Sequence, residues 1–198
     1  VIFPGPIAYT VSESGDQFMI PPVGMLSIAE YLDRNGYRVI VDNLGERMVT
    51  VEGFDLEEHI KSLSARVIGI GLHWCVHSQG AIELARLCKR LHPEAMVVVG
   101  GLTSTVFSEE IIQKYEFIDA VIRGEAEKPF LELMKVLEQN DKLDKVPNLT
   151  FRNREGKVSV NEMMEPSETL NEYEYTRLDL IEPKKIIYPE DRSARWFI

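Results

Sequence analysis

The feature that most constrains this chain is a set of short apolar runs that do not alternate. "VIF" (1–3), "RVIVD" (38–42), "RVIGIGL" (66–72), "MVVVGG" (96–101) and "DAVIRG" (119–124) follow one another along the sequence. In a sheet with one wet face, every second residue would be polar. Continuous Val and Ile runs therefore predict strands covered on both faces, as in a parallel sheet. Helical periodicity fills the intervals. Met25, Ile28, Ala29 and Leu32 recur at helical spacing in 24–35, where Gly36 supplies the C-cap. Leu56, Ile60 and Leu63 share a face in 54–64. In 78–91, Ala81, Leu84, Ala85, Cys88 and Leu91 do the same, with Ser78 as N-cap and Pro93 beyond the end. A helix over 104–115, capped by Ser104 or Ser108, carries Phe107, Ile111 and Tyr115; one over 125–138 carries Phe130, Leu133, Met134 and Leu137.

Strand–helix units repeated in this way, with right-handed crossovers, predict an α/β fold: a Rossmann-like or flavodoxin-like, doubly wound, five-stranded parallel sheet over residues 1–140. The pattern then changes. "LTFRN-REG-KVSVNE" alternates about a Gly-containing turn and predicts a β-hairpin, placed in 141–165. Residues 166–198, with Pro166, Pro183 and Pro189, read as an extended connector.

Composition narrows the function classes. The formal net charge is −10 and no basic stripe appears, Lys184-Lys185 being an isolated pair, which argues against a nucleic-acid backbone as partner. No apolar run approaches the roughly 20 residues of a membrane span. Cys75 and Cys88 are too few for a disulfide framework and read as reduced thiols of a cytoplasmic protein. The missing initiator Met and the uncapped ending "SARWFI" lead to the expectation of one domain cut from a longer protein.

Open α/β sheets bind ligands at the carboxyl ends of their strands. The unusual residues collect there: a first loop of about 20 residues, "DNLGERM", "GLHWCVHS", "GGLTST" and "RGEAE". Gly100-Gly101, with Thr103, Ser104 and Thr105, either lets a ligand approach the backbone or simply makes a turn with an N-cap; both readings stay open. Neither the dinucleotide glycine fingerprint nor the P-loop is present. His73, Cys75 and His77 invite a zinc reading. However, Cys88, His92 and His59 fall on helices, so no four-ligand set closes. His59 and His92 are expected to face solvent.

These loops together resemble the N-terminal cobalamin-binding domain of B12-dependent radical SAM proteins. The resemblance rests on "PPVGMLSIAEYLDRNGYRV", "IGIGL", "VVVGGLTST", "RGEAEKPFLEL" and "VPNLTFRNREGKV", and covers about residues 1–165. It implies cobalamin lying across the carboxyl edge, with its nucleotide tail beside the Gly-Gly loop. Carried over by motif, the cofactor-binding residues are Pro22, Gly24, Asp42, Gly45, Gly71, His73, Trp74, Gly100, Gly101, Thr103, Gly124 and Glu125. No metal ligand is assigned; His73 is placed near the cobalt. The Asp-x-His-x-x-Gly of other cobalamin domains is absent, since no histidine precedes His59, and Gly71 stands where the family often has Ser. The resemblance further implies a radical SAM domain in the same polypeptide, carrying a [4Fe-4S] cluster and S-adenosylmethionine, with methyl transfer or related radical chemistry in the full-length protein. The alternative is a cofactor-free interaction or regulatory module with a decayed B12 site.

Overall fold

The computed structural model describes Ile2–Phe3, residues 23–174 and residues 176–182. The long first loop with Pro22, and residues 183–198 with Lys184-Lys185, lie outside the described residues. All five predicted strands are present: β1 (Ile2–Phe3), β2 (Val41–Asn43), β3 (Val67–Gly71), β4 (Met96–Gly100) and β5 (Ala120–Ile122). They run parallel in the order β5-β4-β3-β1-β2. The hairpin forms too, but as part of the same sheet. Its strand β6 (Leu149–Arg152) pairs antiparallel with β5, and β7 (Val158–Val160) with β6. The connector adds an eighth strand, β8 (Ile181–Glu182), parallel to β2 at the other edge.

Strands β3, β4 and β5 are buried on both faces, which explains their non-alternating runs. Ile68, Ile70, Val97, Val99 and Val121 pack with Ile60, Leu84, Cys88 and Ile112 from helices on one side. Val98, Ala120 and Ile122 pack with Leu32, Phe130 and Leu133 on the other. Successive strand residues thus point to opposite cores while both cores stay apolar.

The helices are α1 (Val23–Arg34), α2 (Leu44–Thr50), α3 (Leu56–Ser62), α4 (Ser78–Leu91), α5 (Leu102–Val106), α6 (Ser108–Lys114) and α7 (Glu127–Glu138). Three expectations need correction. "DNLGERM" is not a loop: most of it lies in α2. The single helix expected over 104–115 is two, separated at Phe107; Ser104 and Thr105 donate their hydroxyls back to the Gly101 carbonyl, and Ser108 opens the second helix without capping it. Ser78 begins α4 but is not its N-cap, because a 3₁₀ turn over Cys75–His77 precedes it and the Ser78 hydroxyl donates to the Cys75 carbonyl. The end of α1 is as expected. Gly36 sits at φ 88°, the Gly36 and Tyr37 amides donate to Asp33 and Leu32, and the helix stops.

The connector is fastened down. Glu30 of α1, only 3% exposed, accepts the backbone amides of Thr176 (3.0 Å) and Arg177 (3.2 Å). Arg177 in turn bridges Asp33 and Asp179, and Leu180 enters a small core with Leu26, Ala29 and Val41.

Candidate functional site

The strand order reverses between β1 and β3, because α1 leads from β1 to β2 while the remaining parallel strands lie on the opposite side of β1. At such a switch point the flanking loops diverge and leave a crevice at the carboxyl edge. "GLHWCVHS" follows β3 at this point.

Hydrogen bonds weld the loops of this edge into one rim. The Leu72 amide donates to Gly100 (2.7 Å), and the Thr103 amide and hydroxyl both donate to the His73 carbonyl (3.2 and 2.9 Å). Gly101 makes this close approach possible. Its φ is +113°, and a Cβ there would sit 2.8 Å from the Leu72 carbonyl. Of the two open readings of Gly100-Gly101, the close approach at Gly101 is therefore to the chain's own β3 loop. One step along the edge, the Gly124 amide donates to the Thr105 hydroxyl (2.9 Å), which joins the loop after β5 to α5.

The surface of this rim is apolar. Trp74 is 58% and Val76 80% exposed, and Leu102, Val106 and Phe107 are also largely exposed. Large side chains held outward around a ligand-binding edge suit a broad, flat partner with an apolar face. His73 is exposed and meets Trp74 edge to face, with ring centroids 4.9 Å apart. Among the described residues, no three His, Cys, Asp or Glu side chains gather as a metal-binding group.

The sequence-assigned residues divide by place. Gly71, His73, Trp74, Gly100, Gly101, Thr103, Gly124 and Glu125 lie along the β3, β4 and β5 loops of the rim. Gly24 is in the exposed first turn of α1, with open space around it. Gly45 lies within α2, and Pro22 is outside the described residues. Asp42, the middle residue of β2, is a buried carboxylate whose Oδ1 accepts from Arg47 Nε (2.7 Å) and whose Oδ2 meets His59 Nε2 (2.5 Å). The two histidines expected to face solvent do not. His59 is half-buried against Phe54, and His92 Nε2 bonds the Ile60 carbonyl at 2.6 Å, so neither ring simply faces solvent. Neither Met163 nor Asn148 stands out in the sequence as a site residue. The terminal methyl of Met163 lies 2.9 Å from where a Gly124 Cβ would be, and Asn148 braces the same turn.

Residues 17–134, well over half of the chain, match the family of the B12 binding domain. The chain belongs to that family. The match favours a cofactor-binding role for this B12-binding domain over the cofactor-free alternative. Curated relatives include a cytidylyl-2-hydroxyethylphosphonate methyltransferase of Streptomyces wedmorensis, 27% identical over 154 residues; the match takes in 70% of this chain and 29% of the relative. An anaerobic magnesium-protoporphyrin IX monomethyl ester cyclase of Synechocystis is 25% identical over 178 residues, covering 88% of this chain and 34% of the relative. The chain thus spans about a third of the length of these curated relatives. Among solved structures, the radical S-adenosylmethionine methyltransferase TsrM of Kitasatospora setae, with cobalamin and a [4Fe-4S] cluster bound, superposes with TM-score 0.65 at 18% identity. That match covers 84% of this chain and 29% of TsrM. The cobalamin-dependent radical enzyme OxsB, with aqua-cobalamin and S-adenosylmethionine bound, superposes with TM-score 0.60 at 19% identity, covering 73% of this chain and 20% of OxsB. These likenesses establish the shared fold.

Proposed function

We propose that this domain holds cobalamin across the carboxyl edge of its sheet and serves a radical SAM module of the same polypeptide, in methyl transfer or related radical chemistry. One observation carries the reading: an exposed apolar rim, centred on Trp74 and Val76, stands at the switch point of a sheet that matches the B12 binding domain family. When bound, cobalamin supplies a cobalt centre that can accept and donate a methyl group. The chain's own part is to bind and orient. Trp74 and Val76, with Leu102 of α5, offer apolar surface to the ring and exclude water from that face. Gly100, Gly101 and Thr103 shape the β4 loop for the tail, and Gly124 and Glu125 close the far end. Gly24, with Pro22 before it, would flank the first loop; Asp42 in β2 and Gly45 in α2 would support the next stretch of the edge; Gly71 ends β3, and His73 sits beside Trp74. The module's iron–sulfur cluster and S-adenosylmethionine belong to the proposed partner domain, and the cytoplasm is the proposed location.

The test is direct. The purified protein is mixed with hydroxocobalamin, desalted, and its visible spectrum recorded. Retained corrin absorbance near one equivalent is expected. A colourless protein after incubation with micromolar ligand would overturn the reading.

A further inference from the structure

Asn148 is 1% exposed and stands at φ 61°, a left-handed conformation that asparagine tolerates better than most residues. Every polar group it has is used. Nδ2 donates to the carbonyls of Arg123 (2.9 Å) and Glu125 (3.2 Å), and Oδ1 accepts the Met164 amide (2.7 Å). Its own amide donates to Glu162, and its carbonyl accepts both the amide and Nε of Arg123. The Arg123 guanidinium also donates to the Asn161 carbonyl. A single buried side chain thus ties the turn after β5 to the segment that leaves the hairpin.

That turn lies on the rim. The Gly124 amide reaches Thr105 of α5, Glu125 Oε2 accepts the Ser167 amide (3.2 Å), and half-exposed Met163 lies against Gly124. We propose that Asn148 is a positioning residue of the cofactor site, holding the Gly124–Glu125 turn and the Met163 side chain together as its outer wall. Asn148 acts through the turn and does not touch the ligand. Glycine at 148 would keep the backbone conformation but drop all three side-chain bonds. Aspartate would keep the shape while turning two donors into an acceptor that faces two carbonyls.

This inference rests on the cobalamin reading, and two measurements separate them. In the ligand-free protein, Asn148→Gly and Asn148→Asp should speed amide hydrogen exchange at Gly124, Glu125, Ala126 and Met164 by about tenfold or more, with the β3 and β4 amides unchanged. Hydroxocobalamin titration should show a Kd raised about tenfold in both variants. Met163→Ala should weaken cobalamin binding without altering exchange in the turn. The proposal is overturned if the turn amides stay as protected as in the wild type, if exchange rises uniformly across β3 and β4, or if the variants bind cobalamin as tightly as the wild type. A wild-type protein that takes up no cobalamin overturns the reading above and the site-wall role with it. The exchange measurement then still decides whether Asn148 holds the turn.

Discussion

At Gly101 a side chain has nowhere to go. The backbone is in the left-handed region and the space a Cβ would need is filled by the Leu72 carbonyl carbon and oxygen, with the His73 amide nitrogen at 3.0 Å. Gly101→Ala is expected to cost roughly 2–4 kcal/mol, from dihedral strain plus overpacking, read as a lower urea midpoint. Gly100 beside it is different, since a Cβ there would meet only Ile122 O at an ordinary 3.7 Å; Gly100→Ala should be nearly neutral for stability. The pair was visible in "MVVVGG", but which glycine is obligatory depends on how closely β3 passes, and spacing carries no such information. The cysteines make a second contrast. Cys75 is exposed, whereas burial pushes the Cys88 thiol up to about 12. A disulfide reagent at pH 8 should titrate one thiol in the native protein and two after unfolding. Native Cys88 keeps its proton where an unfolded thiol loses it, so its contribution to stability is complete below about pH 9 and declines as pH rises toward about 12. Cys88→Ala should remove that part of the alkaline decline in an equilibrium unfolding series.

Long periodic elements were the legible ones. The stripes of α1, α4 and α7 and the Val runs of β3 and β4 stand out because burial dictates their residue types along most of their length. The elements missed are short and held by tertiary partners. α2 has seven residues, includes Gly45, and begins directly after Asp42 and Asn43. β8 has two residues and forms because Glu30 of α1 captures the chain just before it. That buried carboxylate sits mid-helix in "SIAEYL", where the sequence offers Arg34 at i+4 as partner, but Arg34 pairs with Glu174 and Glu30 takes backbone amides instead. Glu30→Ala is expected to cost about 1–3 kcal/mol, since two charge-assisted bonds are lost and two amides orphaned. Limited proteolysis should then cut near residues 170–177 faster than in the wild type, while sites in α4 stay protected. Undiminished resistance there would show that Arg177 and Leu180 suffice to hold the connector.

For the molecule as a whole, the hairpin is part of the sheet's structure. Leu149 and Phe151 of β6 are buried beside Val146, and all three belong to the core that includes α7 and β5. Burying each such side chain contributes roughly 1.5–3 kcal/mol, against a total stability of about 5–15 kcal/mol for a domain. A chain ended at residue 140 should therefore show no cooperative thermal transition by circular dichroism and should associate through the bared β5 edge. The rim made by the segments after β3, β4 and β5 was legible from residue types because strand ends can be counted along the sequence, whereas the stretch expected as a loop after β2 is largely α2. The brace behind it was not, because Asn148, Met163 and Glu125 meet only when β6 folds back on β5. The direction of β8 has a further consequence. It runs parallel to β2 and ends at Glu182, so the polypeptide leaves the sheet on the same side as the ligand rim. In the proposed arrangement, with a radical SAM module joined after residue 198, the 16 residues from 183 to 198 set an upper bound of about 50 Å, at about 3.3 Å per extended residue, on how far that module could stand from the rim. Under that proposal, encounter between the two would be governed by local concentration, which tether length sets and dilution of the protein does not change.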